Sequence, residues 1–381
     1  MKTILLFIHC FCLYISAFAQ QSTQPDNNLL LEYYQTQRFA DAANYLKKTY
    51  PEPVTDSKAL ASLAYTSQMA GRLPDAEGYY QRIYEQDSTR TPILYSLGSI
   101  NLRRGNNAKA MIYYKKILLR DSTNYSVYKQ LAKISFDNTD IPAYATYLDK
   151  ANQLNPTDAD IASELSDLYV NLKLNPKAEQ VLSRAVAADE ENIVLQESLL
   201  KLVYAQSKWN EVITVGEKLL QLGNRSPVIL SKIGQAYFNV RDYQCGIQTL
   251  TAIDNISQNE STYYFTAACY KQLKNQLKAI EYFKKSVDAG ISANIDAYYN
   301  EIADSYSTIK NPAKALGAYQ KALQFNERPM TYYAIANLYD TELKNKKNAI
   351  RYYKKYLAAK PPAKQQSYIA CSKSRIAILN D

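Results

Sequence analysis

Apolar positions in this chain recur with a long and regular period. Leu29, Leu63, Leu97, Leu131, Leu165 and Leu199 fall 34 residues apart, and Ile233 continues the row. Thirteen residues after each comes a second, mostly small row: Ala42, Ala76, Ala110, Tyr144, Ala178, Val212 and Gly246. Four residues further on, a bulky row holds Leu46, Tyr80, Tyr114, Leu148, Leu182 and, after a gap at Gly216, Leu250. Within one period, Leu94, Leu97 and Gly98 sit at helical intervals and Arg104-Gly105-Asn106 predicts a turn. Ala110, Tyr114 and Ile117 then predict a second amphipathic helix. A helix hairpin of this kind has an apolar face it cannot bury alone. The small residue lets two helices approach closely, the bulky one wedges between neighbouring hairpins, and stacking builds a continuous core.

The register is expected to loosen after Gly246, where the next small residues are Ala279, Ala315 and Ala349, at spacings of 33, 36 and 34. Residues 288–295 predict a longer connection, with Gly290 as helix stop. Val212 and Gly216 weaken the pattern in the sixth unit, as Gly246 does in the seventh. The count comes to about ten hairpins over residues 20–362. Residues 364–379, with Tyr368, Ile369, Ile376 and Leu379 on one side, predict a capping helix within a C-terminal segment, 363–381.

These residues resemble the tetratricopeptide repeat family. Its pattern is a large residue and Leu, then Gly or Ala, an aromatic three later, a small residue in the second helix, then an aromatic, Ala and Pro. Residues 159–192 match it with Leu165, Ser166, Tyr169, Ala178, Leu182 and Ala185. Residues 296–328 match with Tyr299, Ile302, Ala303, Tyr306, Ala315, Tyr319 and Ala322, and Pro156 and Pro361 take the closing proline position. The resemblance implies an all-α, right-handed superhelical solenoid of stacked antiparallel hairpins. It also implies that the first helix of each hairpin lines a concave face. Carried over position by position, that face includes Tyr65, Tyr95, Lys129, Lys133, Phe136, Tyr204, Phe238, Tyr264 and Tyr333. Aromatics there suit capture of a peptide or partner subunit, because Tyr offers contact area at low entropic cost. The alternative is that many of these rings merely pack against neighbouring helices. Lys129 and Lys133, one turn apart, resemble in part the family's two-carboxylate clamp for an acidic peptide terminus. No Asn stands beside them, and Ser163 and Asp167 occupy the corresponding positions one period on, so a solvated lysine pair is the simpler reading.

Composition agrees with helices and narrows the chemistry. The 381 residues include only ten Gly and thirteen Pro but thirty-five Tyr, and 47% are hydrophobic, enough for a core. The first nineteen residues have the layout of a secretory signal peptide: Lys2, a mostly apolar stretch over 4–15, and an Ala17-Phe18-Ala19 cleavage site. Cleavage predicts a mature start at Gln20 and a periplasmic or secreted protein, and no other stretch is apolar enough to span a membrane. It also removes His9, the one histidine, and lowers cysteine from five to three: Cys245, Cys269 and Cys371. His-based nucleophile systems and His-ligated zinc or haem are then excluded by inventory. No catalytic, metal or cofactor-binding residue is expected. Cys245 and Cys269, on adjacent helices in the family's arrangement, are close enough to raise the question of a disulfide, while Cys371 has no evident partner. Trp209 is expected to be structural.

The net charge of +9 is unevenly spread. Residues 344–375 hold ten Lys/Arg, with no acidic residue between Glu342 and Asp381, whereas residues 158–191 are acid-rich. The basic end is expected either to solvate a solenoid terminus or to meet an anionic envelope surface. Nucleic acid is not an expected partner. The reading that follows is a non-catalytic interaction scaffold or adaptor of the cell envelope; the alternative is a carbohydrate- or cell-wall-binding repeat protein.

Overall fold

The computed structural model describes residues 24–290 and 293–380. The leader predicted over 1–19 lies outside them. Every regular element described is helical. The helices pair in chain order: α1 (Asn27–Gln35) with α2 (Phe39–Thr49), α3 (Ser57–Met69) with α4 (Leu73–Gln86), α5 (Thr91–Arg103) with α6 (Asn107–Leu118), and α7 (Tyr125–Asp137) with α8 (Ile141–Leu154). Next come α9 (Ala159–Asn171) with α10 (Asn175–Ala188), α11 (Ile193–Ala205) with α12 (Trp209–Gln221), and α13 (Pro227–Asn239) with α14 (Tyr243–Thr251). The last pairs are α15 (Glu260–Gln272) with α16 (Gln276–Ala289), α17 (Ile295–Thr308) with α18 (Pro312–Phe325), and α19 (Pro329–Thr341) with α20 (Lys346–Ala358). A 3₁₀ turn, Ala363–Gln365, leads into the terminal helix α21 (Gln366–Asn380).

Two compact units divide the chain, Met1–Ile161 and Ala162–Asp381. In the first, one core cluster runs from Leu46 through Leu60, Leu63 and Tyr80 to Leu97, and a second joins Ala110, Tyr114 and Ile117 to Val127, Leu131 and Ile134. Each cluster thus unites the second helix of one hairpin with the first helix of the next, as stacking requires. The second unit repeats this with Val212, Leu219 and Ile233, and again with Phe283, Ile302, Tyr319 and Ile335.

The turn inside each hairpin follows one plan, with one extra residue in the last. Gln37, Gly71, Gly105, Thr139, Lys173, Ser207, Arg241, Lys274, Lys310 and Lys344 all have φ between 50° and 75°. The next backbone N–H reaches back to the first helix: Arg38 to the Tyr33 carbonyl (2.8 Å), Asp140 to Ser135 (2.9 Å), Asn311 to Tyr306 (2.9 Å). This is a left-handed helix stop closed by a long backward hydrogen bond. Asp140, Asp242, Asn275, Asn311 and Asn345 then cap the second helix with their side chains. The second-row residue, small in all but Tyr144 and Val212, follows the left-handed one by five positions in all ten described hairpins, from Gln37 and Ala42 to Lys344 and Ala349. The register slip after Gly246 therefore falls outside this turn-to-second-helix segment. Most of it lies in the connections after α14 and α16. One residue of it lies in the last turn, where Asn345 bonds six residues back, to Tyr339.

Close helix contact replaces bulk where glycine stands. A Cβ on Gly98 would lie 2.8 Å from the Tyr114 ring, and one on Gly234 would lie 2.4 Å from Leu250 Cγ. The sixth hairpin reverses the sizes: Leu200 is buried in the first helix, and Gly216 takes the bulky position in the second. A Cβ on Gly216 would lie 2.4 Å from Ile233 of the next hairpin. Gly216 is therefore a seat for Ile233.

The terminal helix α21 is pinned, not merely laid down. Arg375 donates through Nε and a terminal nitrogen to the two oxygens of Asp340, both at 2.7 Å, while Tyr353 donates to the same carboxylate at 3.2 Å. Ile376 and Leu379 pack on Ala336, Ala349 and Tyr353. The exposed Cys371 is a free thiol and accepts a hydrogen bond from the Tyr333 hydroxyl at 3.6 Å.

Candidate interaction surface

The nine residues placed on the first-helix face by sequence sort into three groups. In the first unit, three rings stand partly in solvent: Tyr65 on α3 (46% exposed), Tyr95 on α5 (37%) and Phe136 on α7 (57%). Each is held from below by one or two rings. Tyr65 meets Tyr34 and Phe39 edge-on at 6.0 and 6.5 Å, Tyr95 meets Tyr114 at 5.6 Å, and Phe136 meets Tyr144 at 5.2 Å. Such support fixes ring orientation while leaving the outer surface free. Leu31 on α1 and Met69 on α3 are also half exposed, so first helices of four successive hairpins present apolar groups to solvent. Sequence reasoning missed Leu31 and Met69; their positions on first helices were the available signal.

In the second unit the aromatic members are largely occupied by packing. Tyr264 touches Phe265, Phe283 and Tyr298 at 5.3, 5.8 and 5.3 Å. Tyr333 is enclosed by Tyr353, Tyr356 and Tyr368 at 5.9, 5.4 and 4.9 Å. Phe238 lies between Tyr243 and Phe265. Burial raises the pKa of Tyr264 and of Tyr333. Tyr204 donates to Gln235 Oε1 at 2.6 Å and meets Trp209 edge-on at 5.6 Å, which gives Trp209 its structural role.

The lysines also differ from expectation. Lys129 is not a solvated member of a pair: its ammonium sits 2.7 Å from Asp160 and 3.4 Å from Asp158. Burial opposes its charge, but hydrogen bonding to Asp160 and the two carboxylate charges leave its pKa raised. Lys133 is exposed and makes no ion pair among the described residues. The structure therefore leaves one free ammonium there where a clamp would need two.

Polar links between first helices recur along this face. Lys201 pairs with Asp167, Lys271 with Glu301 at 2.6 Å, and the buried Asp296 with Arg328. Lys232 stands apart. Its ammonium lies 3.9 Å from the centre of the Tyr204 ring and has no carboxylate within ion-pair distance among the described residues. Burial, and then the Lys201 charge, hold its pKa below that of an ordinary lysine. A cation so placed gains from the ring but still favours an anionic neighbour.

Cys245 and Cys269 are free thiols, with no bond between them. Cys269 is fully buried, its Sγ 3.0 Å from where a Cβ on Gly246 would lie, and burial pushes its pKa up to about 12. The Cys245 thiol is engaged by Asp242, which raises its pKa as well. No helix among the described residues is long and apolar enough to cross a membrane.

Models of the tetratricopeptide repeat match the sequence over residues 70–126, and again over 260–289 and 331–362. No curated protein matches. Among solved structures, a tetratricopeptide repeat protein from Parabacteroides merdae is 16% identical, covering 65% of this chain and 98% of its own, with a TM-score of 0.44. MamA is 19% identical over 44% of this chain and 91% of its own, with a TM-score of 0.39. YrrB, a TPR protein with an unusual peptide-binding site, is 15% identical over 48% of this chain and 94% of its own, with a TM-score of 0.44.

Proposed function

From a chain that belongs to the tetratricopeptide-repeat family, a repeat that serves protein–protein interaction, we propose a non-catalytic scaffold of the cell envelope. It holds a peptide or partner subunit on the face made by its first helices. The observation that carries this reading is the row of supported, solvent-facing rings at Tyr65, Tyr95 and Phe136. Rings already fixed by a neighbour lose little freedom on binding, so covering them yields more net affinity than covering mobile side chains. Burying the exposed part of a ring such as Phe136 contributes about 2 kcal/mol. A carboxylate on the partner would find Lys232 uncompensated in the second unit. Lys2, the apolar stretch over 4–15 and the Ala17-Phe18-Ala19 site support export.

The test is site-specific photo-crosslinking in the native cells, with the reactive residue placed at 65, 95 or 136. A control position is Ile112, equally exposed but on the second helix α6. A common protein adduct from the three first-helix positions, absent from 112, supports the reading. Equal adducts from 112, or none from the three, removes it. The N-terminus of the protein recovered from those cells reports export separately, with Gln20 as the expected first residue.

A further inference from the structure

Among the described residues, a run of uncompensated cations lies on α20, a second helix. Lys347, Arg351, Lys354 and Lys355 are all exposed and follow one another at helical spacing, so they share one side of the helix. With Ile350 and Ala358 they line a shallow concavity of about 450 Å³. Of the ten Lys/Arg in residues 344–375, Arg375 is the one that makes a salt bridge among the described residues. The preceding second helix, α18, contains no acidic residue either, and its Lys314 and Lys321 make no ion pair among the described residues. Tyrosines flank the cations: Lys355 lies 5.3 and 5.5 Å from the ring centres of Tyr332 and Tyr352, Arg351 5.9 Å from Tyr352, and Lys321 5.4 Å from Tyr299.

We propose that this face docks on an anionic phospholipid surface. Two features favour a bilayer over an acidic protein segment. A carboxylate bound specifically is met by a fixed fork, as Arg375 meets Asp340 through two nitrogens at 2.7 Å. The α20 cations have no such fixing; they are long, separate side chains along one side of an open helix. An array of that kind suits many laterally mobile phosphates, which adjust to it. Of the tyrosine rings beside them Tyr332 is buried, but Tyr352 and Tyr299 are partly exposed, with an apolar body and a polar tip, the character favoured in the headgroup layer. The proposal is independent of what the first-helix face holds.

Each cation near an anionic leaflet strengthens partitioning roughly fivefold, so removing four should weaken it by at least about a hundredfold. The test is co-sedimentation of the purified full chain with phosphatidylcholine vesicles containing 30% phosphatidylglycerol, in about 0.1 M salt. The variant is Lys347→Ser, Arg351→Ser, Lys354→Ser and Lys355→Ser together, with the pair Lys354→Ser/Lys355→Ser as a milder version. An equal charge change at exposed Lys58, Arg103, Lys115 and Lys150 in the first unit is the control. The expected result is binding to anionic but not to pure phosphatidylcholine vesicles, lost at least a hundredfold in the quadruple variant and roughly twentyfold in the pair, and largely kept by the control. No binding to anionic vesicles overturns the proposal. So does equal weakening by the control, which would leave net charge alone as the cause. Binding of soluble polyglutamate through the same four residues without vesicle binding would assign the face to an acidic protein instead.

Discussion

The same substitution, glycine to alanine, should have opposite effects at two sites in neighbouring hairpins. Gly78 lies inside α4 with nothing within 4 Å of where its Cβ would be. Alanine there gains helix propensity without contact, about 1 kcal/mol. Gly98 lies inside α5, and its Cβ would stand 2.8, 2.9 and 3.1 Å from three atoms of the Tyr114 ring. Ordinary carbon contacts begin near about 3.5 Å, so the ring must swing outward. It is fully buried and braced edge-on by Tyr95. Overpacking of this kind costs about 1–3 kcal/mol, and subtracting the propensity gain leaves Gly98→Ala destabilised by about 1 kcal/mol. The equivalent pair Ala64 and Tyr80 shows the outcome already reached in one hairpin: Tyr80 is 7% exposed where Tyr114 is 0%. Thermal unfolding by circular dichroism should separate the two variants in sign. Because repeat arrays unfold by parts, hydrogen exchange of α5 and α6 should show where the loss falls. Tyr114→Leu should recover about 1 kcal/mol of the Gly98→Ala loss, since Ala132 with Leu148 is a fully buried native pairing. If Gly98→Ala stabilises as Gly78→Ala does, the close approach is not what fixes this hairpin.

Other perturbations test other parts of the molecule. Thr139 holds φ 58°, a cost of about 1–2 kcal/mol for a side chain. Glycine relieves that cost while giving back part of it in unfolded-chain entropy, so Thr139→Gly should raise stability by about 0.5–1 kcal/mol. Hydrogen bonding to Arg375 holds the Asp340 carboxyl below its ordinary range. A depressed carboxyl stabilises the folded state above its unfolded value and ceases to as pH falls through the folded one. Exchange of α21 amides should therefore accelerate below about pH 4 and show no such step in Asp340→Asn. Aromatic-disulfide titration of the unreduced protein expressed without residues 1–19 should find three thiols, with Cys269 reacting only on unfolding; an intact Cys245–Cys269 bond would contradict this. Lys129→Glu should lower stability by roughly 1 kcal/mol by adding a third carboxylate beside Asp158 and Asp160. Lys133→Glu should leave the melt unchanged, which makes Lys133 the cleaner probe of acidic-peptide binding.

The repeat was readable because the leucine row itself forms the core: Leu63, Leu97, Leu131 and Leu165 are all at most 1% exposed. The turns were not readable, since eight of the ten left-handed positions carry Thr, Lys, Ser, Arg or Gln and only Gly71 and Gly105 announce themselves. There the packing of two helices overrides the local preference of one residue. On the candidate face, Tyr65, Tyr95 and Phe136 follow from repeat position alone. Tyr264 and Tyr333 sit at equally plausible positions but meet rings from other helices, Tyr298 and Tyr368 among them, which no single repeat reveals. The Lys129 partners were not legible in the repeat register. Asp158 and Asp160 lie 29 and 31 residues further along, short of the 34-residue period, so the leucine register sets Ser163 against Lys129 and hides the pairing.

The recurring turn has a mechanical corollary. Within each unit the described hairpins are held chiefly by their two neighbours and by their own backward hydrogen bonds. Under a pulling force applied at the ends, such a run should yield from the side whose outer neighbour is missing, one hairpin at a time. Each event would free 34 residues, a lengthening of roughly 115 Å at full extension. The last hairpin is the exception. The Arg375–Asp340 fork and the packing of Ile376 and Leu379 tie α21 back onto it, so the C-terminal end behaves as a clip that must open before the stack behind it can begin to unravel.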